Sequence, residues 1–181
     1  VAQRLFEEHG ITHTTVDDIA EAADVARTTV FNHFPSKESI ALELAADSMQ
    51  RIAESAQALL ESGMPALDVL QNAARSILET SLTQSELSAA VARELLHSDP
   101  DRCARAQLLV PVKHITEAIL WQAREEDAVR PDLPLDIVAE RFTSLLVLIV
   151  AQAATSDAAT LHKHLNVCLD ILFNGITERS H

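Results

Sequence analysis

The residues with the densest chemistry lie between positions 27 and 37: Arg27, Thr28, Thr29, Phe31, Asn32, His33 and Lys37. A guanidinium bonds guanine O6 and N7 in a bidentate way, and a carboxamide does the same for adenine N6 and N7. Threonine side chains meet a phosphate or a thymine methyl, and an exposed phenyl ring offers apolar contact to sugar or methyl. An imidazole or an ammonium suits a phosphate. Val30 and Phe34 are four apart and so share one helical face, which leaves the polar set to point elsewhere.

The flanking sequence supplies the elements that would position this set. Thr15 is a good N-cap with Asp18 three residues on, an aspartate version of the capping box. The helix it opens carries Val16, Ile19, Ala20 and Ala23 as its apolar face. Asp24 stops it, because Asp tolerates the left-handed backbone of a sharp turn, and Val25 follows as an apolar peg. A second helix runs from Arg27 to about Phe34. Pro35 ends it, and Ser36 caps a long helix with Lys37 in its first turn. This is a helix-turn-helix, whose second helix enters the major groove. Capping alone is the plainer role for Thr15 and Ser36, and core packing is the plainer role for Phe31.

The runs LFEEHG and TTVDDIAEAADVARTTVFNHFPSKESI closely resemble the N-terminal domain of TetR-type transcriptional repressors. The match covers about the first fifth of the chain, with apolar, glycine, threonine, phenylalanine and lysine positions in family order. Three positions depart: Asp24 replaces the usual Gly, Phe31 the commoner Tyr, and Ala26 the usual Ser or Thr. The last removes a side-chain cap, a loss of about 1 kcal/mol. The resemblance implies an all-α protein of about nine helices. Residues 1–44 would form the DNA-binding domain and residues 45–181 an effector-binding and dimerisation domain. It implies a homodimeric repressor, released from a palindromic operator on double-stranded DNA by an unidentified small-molecule effector. Position by position it assigns DNA contacts to Thr14, Thr15, Arg27, Thr28, Thr29, Phe31, Asn32, His33 and Lys37, with Arg27 reading a base and Lys37 holding a phosphate. Two other classes stay open: a helix-turn-helix protein that binds DNA or a partner without ligand control, and a small all-helical enzyme.

Composition agrees with an all-α fold. Of 181 residues 48% are hydrophobic, with only 3 Gly and 6 Pro. The net charge of −13 runs against phosphate attraction. Residues 1–50 hold three basic residues against nine acidic ones, so 3 − 9 = −6. Asp17, Asp18 and Glu21 are expected on the helix before the reader, away from it. The longest uncharged stretch, Phe142 to Ser156, is 15 residues, against about 20 for a membrane-spanning helix. With no signal peptide, the expectation is a soluble, cytoplasmic protein with no membrane association.

Beyond residue 37 the pattern gives helices over about 37–60, 66–81, 83–97, 99–127 with a kink or break at Pro111, 135–155 and 158–176. Thr83 to Glu86 reads as a capping box and Asp99-Pro100 as an N-cap with proline following. The eighth helix turns apolar all round at LLVLIVAQAA, so it must be covered on more than one side. Either both last helices are core of one domain, or helices 8 and 9 pair with their copies in a second chain through Leu146, Ile149, Val150, Leu165, Leu169, Leu172 and Phe173. The resemblance implies the second, and the excess of apolar surface supports it. His114, Trp121 and Phe142 are the large side chains available to line an effector pocket, although ordinary core packing accounts for each. Catalysis, a cofactor and a metal find no support. There is no G-x-S-x-G and no glycine-rich phosphate loop. His162 and His164 are two apart on a helix and face apart, and Arg93, Glu94 and His97 read as an exposed ion-pair cluster. Cys103 and Cys168 read as buried thiols.

Overall fold

The computed structural model describes residues 1–97, 103–153 and 155–177. Among these the chain forms helices and no strand: α1 (Ala2–His9), α2 (Val16–Ala22), α3 (Arg27–His33), α4 (Lys37–Glu61), α5 (Ala66–Thr83), α6 (Ser85–His97), α7 (Cys103–Glu125), α8 (Leu135–Val150) and α9 (Ala158–Ile176). The all-α architecture with an N-terminal helix-turn-helix is as the sequence implied.

Two hydrophobic cores form. The larger joins Leu70, Leu78, Ile119, Leu120, Phe142 and Leu161 from α5, α7, α8 and α9. Full burial of each such side chain contributes roughly 1.5–3 kcal/mol. The smaller gathers Leu5, Phe6, Ile11, Ile19, Val30 and Ile40 beneath the helix-turn-helix, and Leu87 and Val91 of α6 complete it. Met49 on α4 packs against both cores. The head therefore rests on α6 as well as on its own helices. α4 runs unbroken for 25 residues and packs against α5, α6 and α7, so head and body share one rigid strut.

Several ends differ from expectation for local reasons. Thr83 is the last residue of α5, not the cap of α6; its hydroxyl donates back to the Glu79 carbonyl at 2.9 Å. α7 passes through Pro111 without a break. α8 ends at Val150 in a short turn before Asp157 caps α9 through the Thr160 N–H at 2.9 Å. The Asp99-Pro100 cap, and the side chains of Arg93, Glu94, His97 and Cys103, lie outside the described residues. Cys168 is half-buried.

Gly10 ends α1 at φ 78 and ψ 154, a region open essentially to glycine alone. A Cβ there would also run into the Glu86 carboxylate of α6. Gly10→Ala is expected to cost about 2 kcal/mol, read as a lower melting temperature, with the loss concentrated in the head.

Candidate nucleic-acid interface and effector chamber

The head is held by local chemistry. Thr15 caps α2 in a reciprocal box: the Asp18 N–H donates to Thr15 Oγ1 at 3.1 Å, and the Thr15 N–H donates to Asp18 Oδ2 at 2.8 Å. The Thr15 hydroxyl also donates to Asp18 Oδ2 at 2.7 Å. These bonds hold the Asp18 carboxyl below its ordinary 3.8, the side-chain bond contributing most. Asp24 takes the left-handed turn at φ 55. Val25 follows it but is exposed, so it is not the apolar peg that the sequence suggested. Its N–H closes the turn on the Ala20 carbonyl at 3.0 Å. Ala26 opens α3 with no side-chain cap.

α3 turns only Val30 inward. Arg27, Thr28, Thr29, Phe31, Asn32 and His33 are all exposed. Phe31 is 39% exposed, so it is not core. Arg27 is held on two sides: its Nε lies 2.9 Å from Asp17 Oδ1, and its Cζ sits 5.2 Å from the centre of the Phe31 ring. Asp17 therefore does not point away from the reading helix, as expected, but stands against its first residue. The first turn of α2 and the first turn of α3 meet across the turn, a proximity that spacing along the chain does not show.

Two assigned DNA contacts have other work. Thr14 is buried; its hydroxyl reaches the Gly10 carbonyl at 2.8 Å and the Leu5 carbonyl at 3.3 Å, tying the end of α1 to the start of α2. It is a structural residue. The Lys37 ammonium donates to the carbonyls of Ile11, Thr12 and Thr14 at 2.7, 3.1 and 3.2 Å. All three of its donors are thus used inside the head, which leaves none directed at a phosphate.

In the body, α4, α5, α6, α7 and α8 border a partly open chamber with a free volume of about 70 Å³. Its wall is almost wholly apolar, from Met49, Ile77, Leu87, Val91, Leu109 and Leu146 among others, with small residues Ala45, Ser81, Ser88 and Ala92 making the room. Ser48, Thr80 and Gln84 also line a more polar groove between α4 and α5 that includes Arg51 and Asn72. None of the three large residues expected to line a pocket is on this wall. Phe142 is buried in the main core and borders a smaller cavity beside it. His114 and Trp121 face outward, Trp121 at 56% exposure, because the buried positions of α7 go to Val112, Thr116, Ile119, Leu120 and Ala123.

The residues expected between two chains are also largely spoken for. Leu146, Ile149, Leu165 and Leu169 are buried within this chain, and Val150, Leu172 and Phe173 are half-buried against the same core. One chain's α5 and α7 already need those faces. What α8 and α9 leave exposed is Ile137 and Leu148, eleven residues apart on one line of α8, and Val167 and Ile171 on one line of α9. His162 pairs with Glu79 at 3.2 Å, and among the described residues no group of His, Cys, Asp and Glu could hold a metal ion. No described helix is long and apolar enough to cross a membrane.

Comparison with known proteins agrees with this architecture from end to end. The family model for bacterial regulatory proteins of the tetR family matches residues 1–44. The model for the C-terminal domain of TetR/AcrR family transcriptional repressors matches residues 46–175. The HTH-type transcriptional repressor AcnR of Corynebacterium glutamicum is 27% identical over 182 residues, covering 98% of this chain and 89% of that protein. A mycofactocin biosynthesis transcriptional regulator of Mycobacterium tuberculosis, MftR, is 52% identical, but over 40 residues only, 22% of this chain and 20% of that one. Among solved structures, Thermus thermophilus FadR, a TetR-family repressor crystallised with lauroyl-CoA, superposes with a TM-score of 0.85. It is 29% identical, over 99% of this chain and 93% of that one.

Proposed function

The chain belongs to the TetR family of transcriptional repressors, and from that premise we propose a homodimer that grips a near-palindromic operator and lets go when an apolar-tailed effector fills the chamber. Residues 1–44 would hold the DNA and residues 45–181 the effector and the second chain. Arg27, Thr28, Thr29, Phe31, Asn32 and His33 face the duplex, and the backbone N–H groups that follow Thr15 in the first turn of α2 meet a phosphate. Ile137, Leu148, Val167 and Ile171 form the seam between two chains. Such a regulator works on the chromosome, which puts it in the cytoplasm of a bacterium.

One observation carries the ligand control: Leu87 and Val91 of α6 belong at once to the chamber wall and to the core under the head. Gln84, also on the wall, donates to Glu7 of α1 at 3.3 Å. A ligand that needs more room than the chamber offers shifts α6, and the head seated on α6 moves with it. It acts only through unequal affinity for the two head spacings. The apolar wall suits an acyl chain, and the groove at Arg51 and Asn72 suits a polar end. The likeness to the lauroyl-CoA-bound repressor supports the same class.

Dodecanoyl-CoA is expected to release the protein from a duplex enriched from a random pool, in a gel shift at fixed salt. Ala92→Leu, which adds bulk to the wall, is expected to keep DNA affinity within about threefold while raising the dodecanoyl-CoA needed for release roughly tenfold or more, since overfilling a packed site costs about 1–3 kcal/mol. Release that is unchanged in Ala92→Leu would place the effector elsewhere; no release of either form by any acyl thioester would end the ligand-controlled reading.

A further inference from the structure

The head carries an excess of acid, yet one of its acids stands against the first residue of α3. Asp17 and Arg27 are both well exposed, so their attraction adds little to the stability of the fold. The pair's geometry is more informative than its energy. Asp17 Oδ1 stands 2.9 Å from Arg27 Nε, an ion-pair contact on the inner side of the guanidinium. The two terminal nitrogens remain, and they are the fork that spans guanine O6 and N7 end-on. The ring of Phe31, one turn along α3, lies 5.2 Å from Cζ and limits how the guanidinium tilts. The two contacts together favour one pose of a long arginine that would otherwise sample many rotamers, which lowers the ordering cost of binding.

We propose that Asp17, Arg27 and Phe31 form one reader of a G·C pair. Arg27 takes the guanine, Asp17 fixes the guanidinium, and the second Asp17 oxygen accepts from the N4 amino group of a cytosine beside it, the base edge to which a carboxylate is matched. This rests on the DNA-binding reading above and adds part of the operator's sequence to it. Asp17 is the positioning residue and Arg27 the reading one. The carboxylate also cancels the Arg27 charge toward phosphates, so the pair withholds attraction from DNA of the wrong sequence while leaving the right one its hydrogen bonds. That is a route to discrimination for a head whose net charge disfavours unspecific binding.

The test is enrichment from a random duplex pool with the full chain, followed by titration of the enriched duplex and of an unrelated one. Wild type is expected to enrich a guanine at the same place in both half-sites, with cytosine edges next to it. Replacing that guanine by 7-deazaguanine, which lacks the N7 acceptor, should weaken binding about tenfold. Asp17→Asn and Asp17→Ala should bind unrelated duplex more tightly and lose roughly tenfold of the preference for the enriched one, with melting temperatures close to wild type. Equal preference in wild type and both Asp17 variants, or no response to 7-deazaguanine, would overturn the composite reader while leaving the DNA-binding reading standing. A wild type that enriches nothing would take both down.

Discussion

Ile171→Glu is expected to leave a folded single chain that no longer pairs, and to weaken operator binding by roughly a hundredfold or more. Ile171 is 66% exposed in the single chain, so a carboxylate there disturbs no core. In the proposed dimer it would face its own copy or Leu148 across the twofold seam, where two like charges lose water without gaining a partner. Losing the dimer matters so much because the second head binds intramolecularly once the first is seated; separating them removes that effective concentration. Sedimentation equilibrium reads the first effect and a gel shift the second. A variant that stays dimeric would move the seam away from α9. As a contrast, Leu165→Ala should lower the melting temperature through a loss of about 2–5 kcal/mol rather than split a dimer, because Leu165 is buried in the body core.

The second large effect concerns the head's internal lock. Lys37→Met is expected to cost about 2–3 kcal/mol, since three carbonyls lose a charge-assisted partner at once. DNA affinity should fall for every sequence alike as a less ordered head docks, while the salt slope changes little, because the ammonium does not neutralise a phosphate. Heat denaturation and gel shifts at two salt concentrations separate these effects. A phosphate-gripping Lys37 would behave in the opposite way, with unchanged melting and a salt slope shallower by about one.

Much of this was legible in the sequence where the signal is local. The Thr15–Asp18 box, the left-handed Asp24, the uncapped Ala26 and the outward polar face of α3 follow from rules that span a single turn of chain. What could not be read is set by contacts between segments. Thr14 and Lys37 have the side chains of phosphate ligands, and only the fold shows that nearby carbonyls take their hydrogen bonds. The apolar count of α8 and α9 pointed rightly to heavy burial, but it could not divide that burial between a chain's own core and a partner. The most apolar positions went to the core and left Ile137, Leu148, Val167 and Ile171 outside. Large side chains do not mark the chamber. Its sequence mark is small residues, Ala45, Ser81, Ser88 and Ala92, at inward positions where a packed core would place large ones.

All of this depends on two copies of α3 being offered together to one duplex. The most direct measurement is the mass, by light scattering after size separation, of the complex formed with a duplex enriched from the random pool. The expected result is two chains on one duplex carrying an inverted repeat, with half-sites about one helical turn apart. One chain per duplex, or an enriched site with no repeat, would contradict the account.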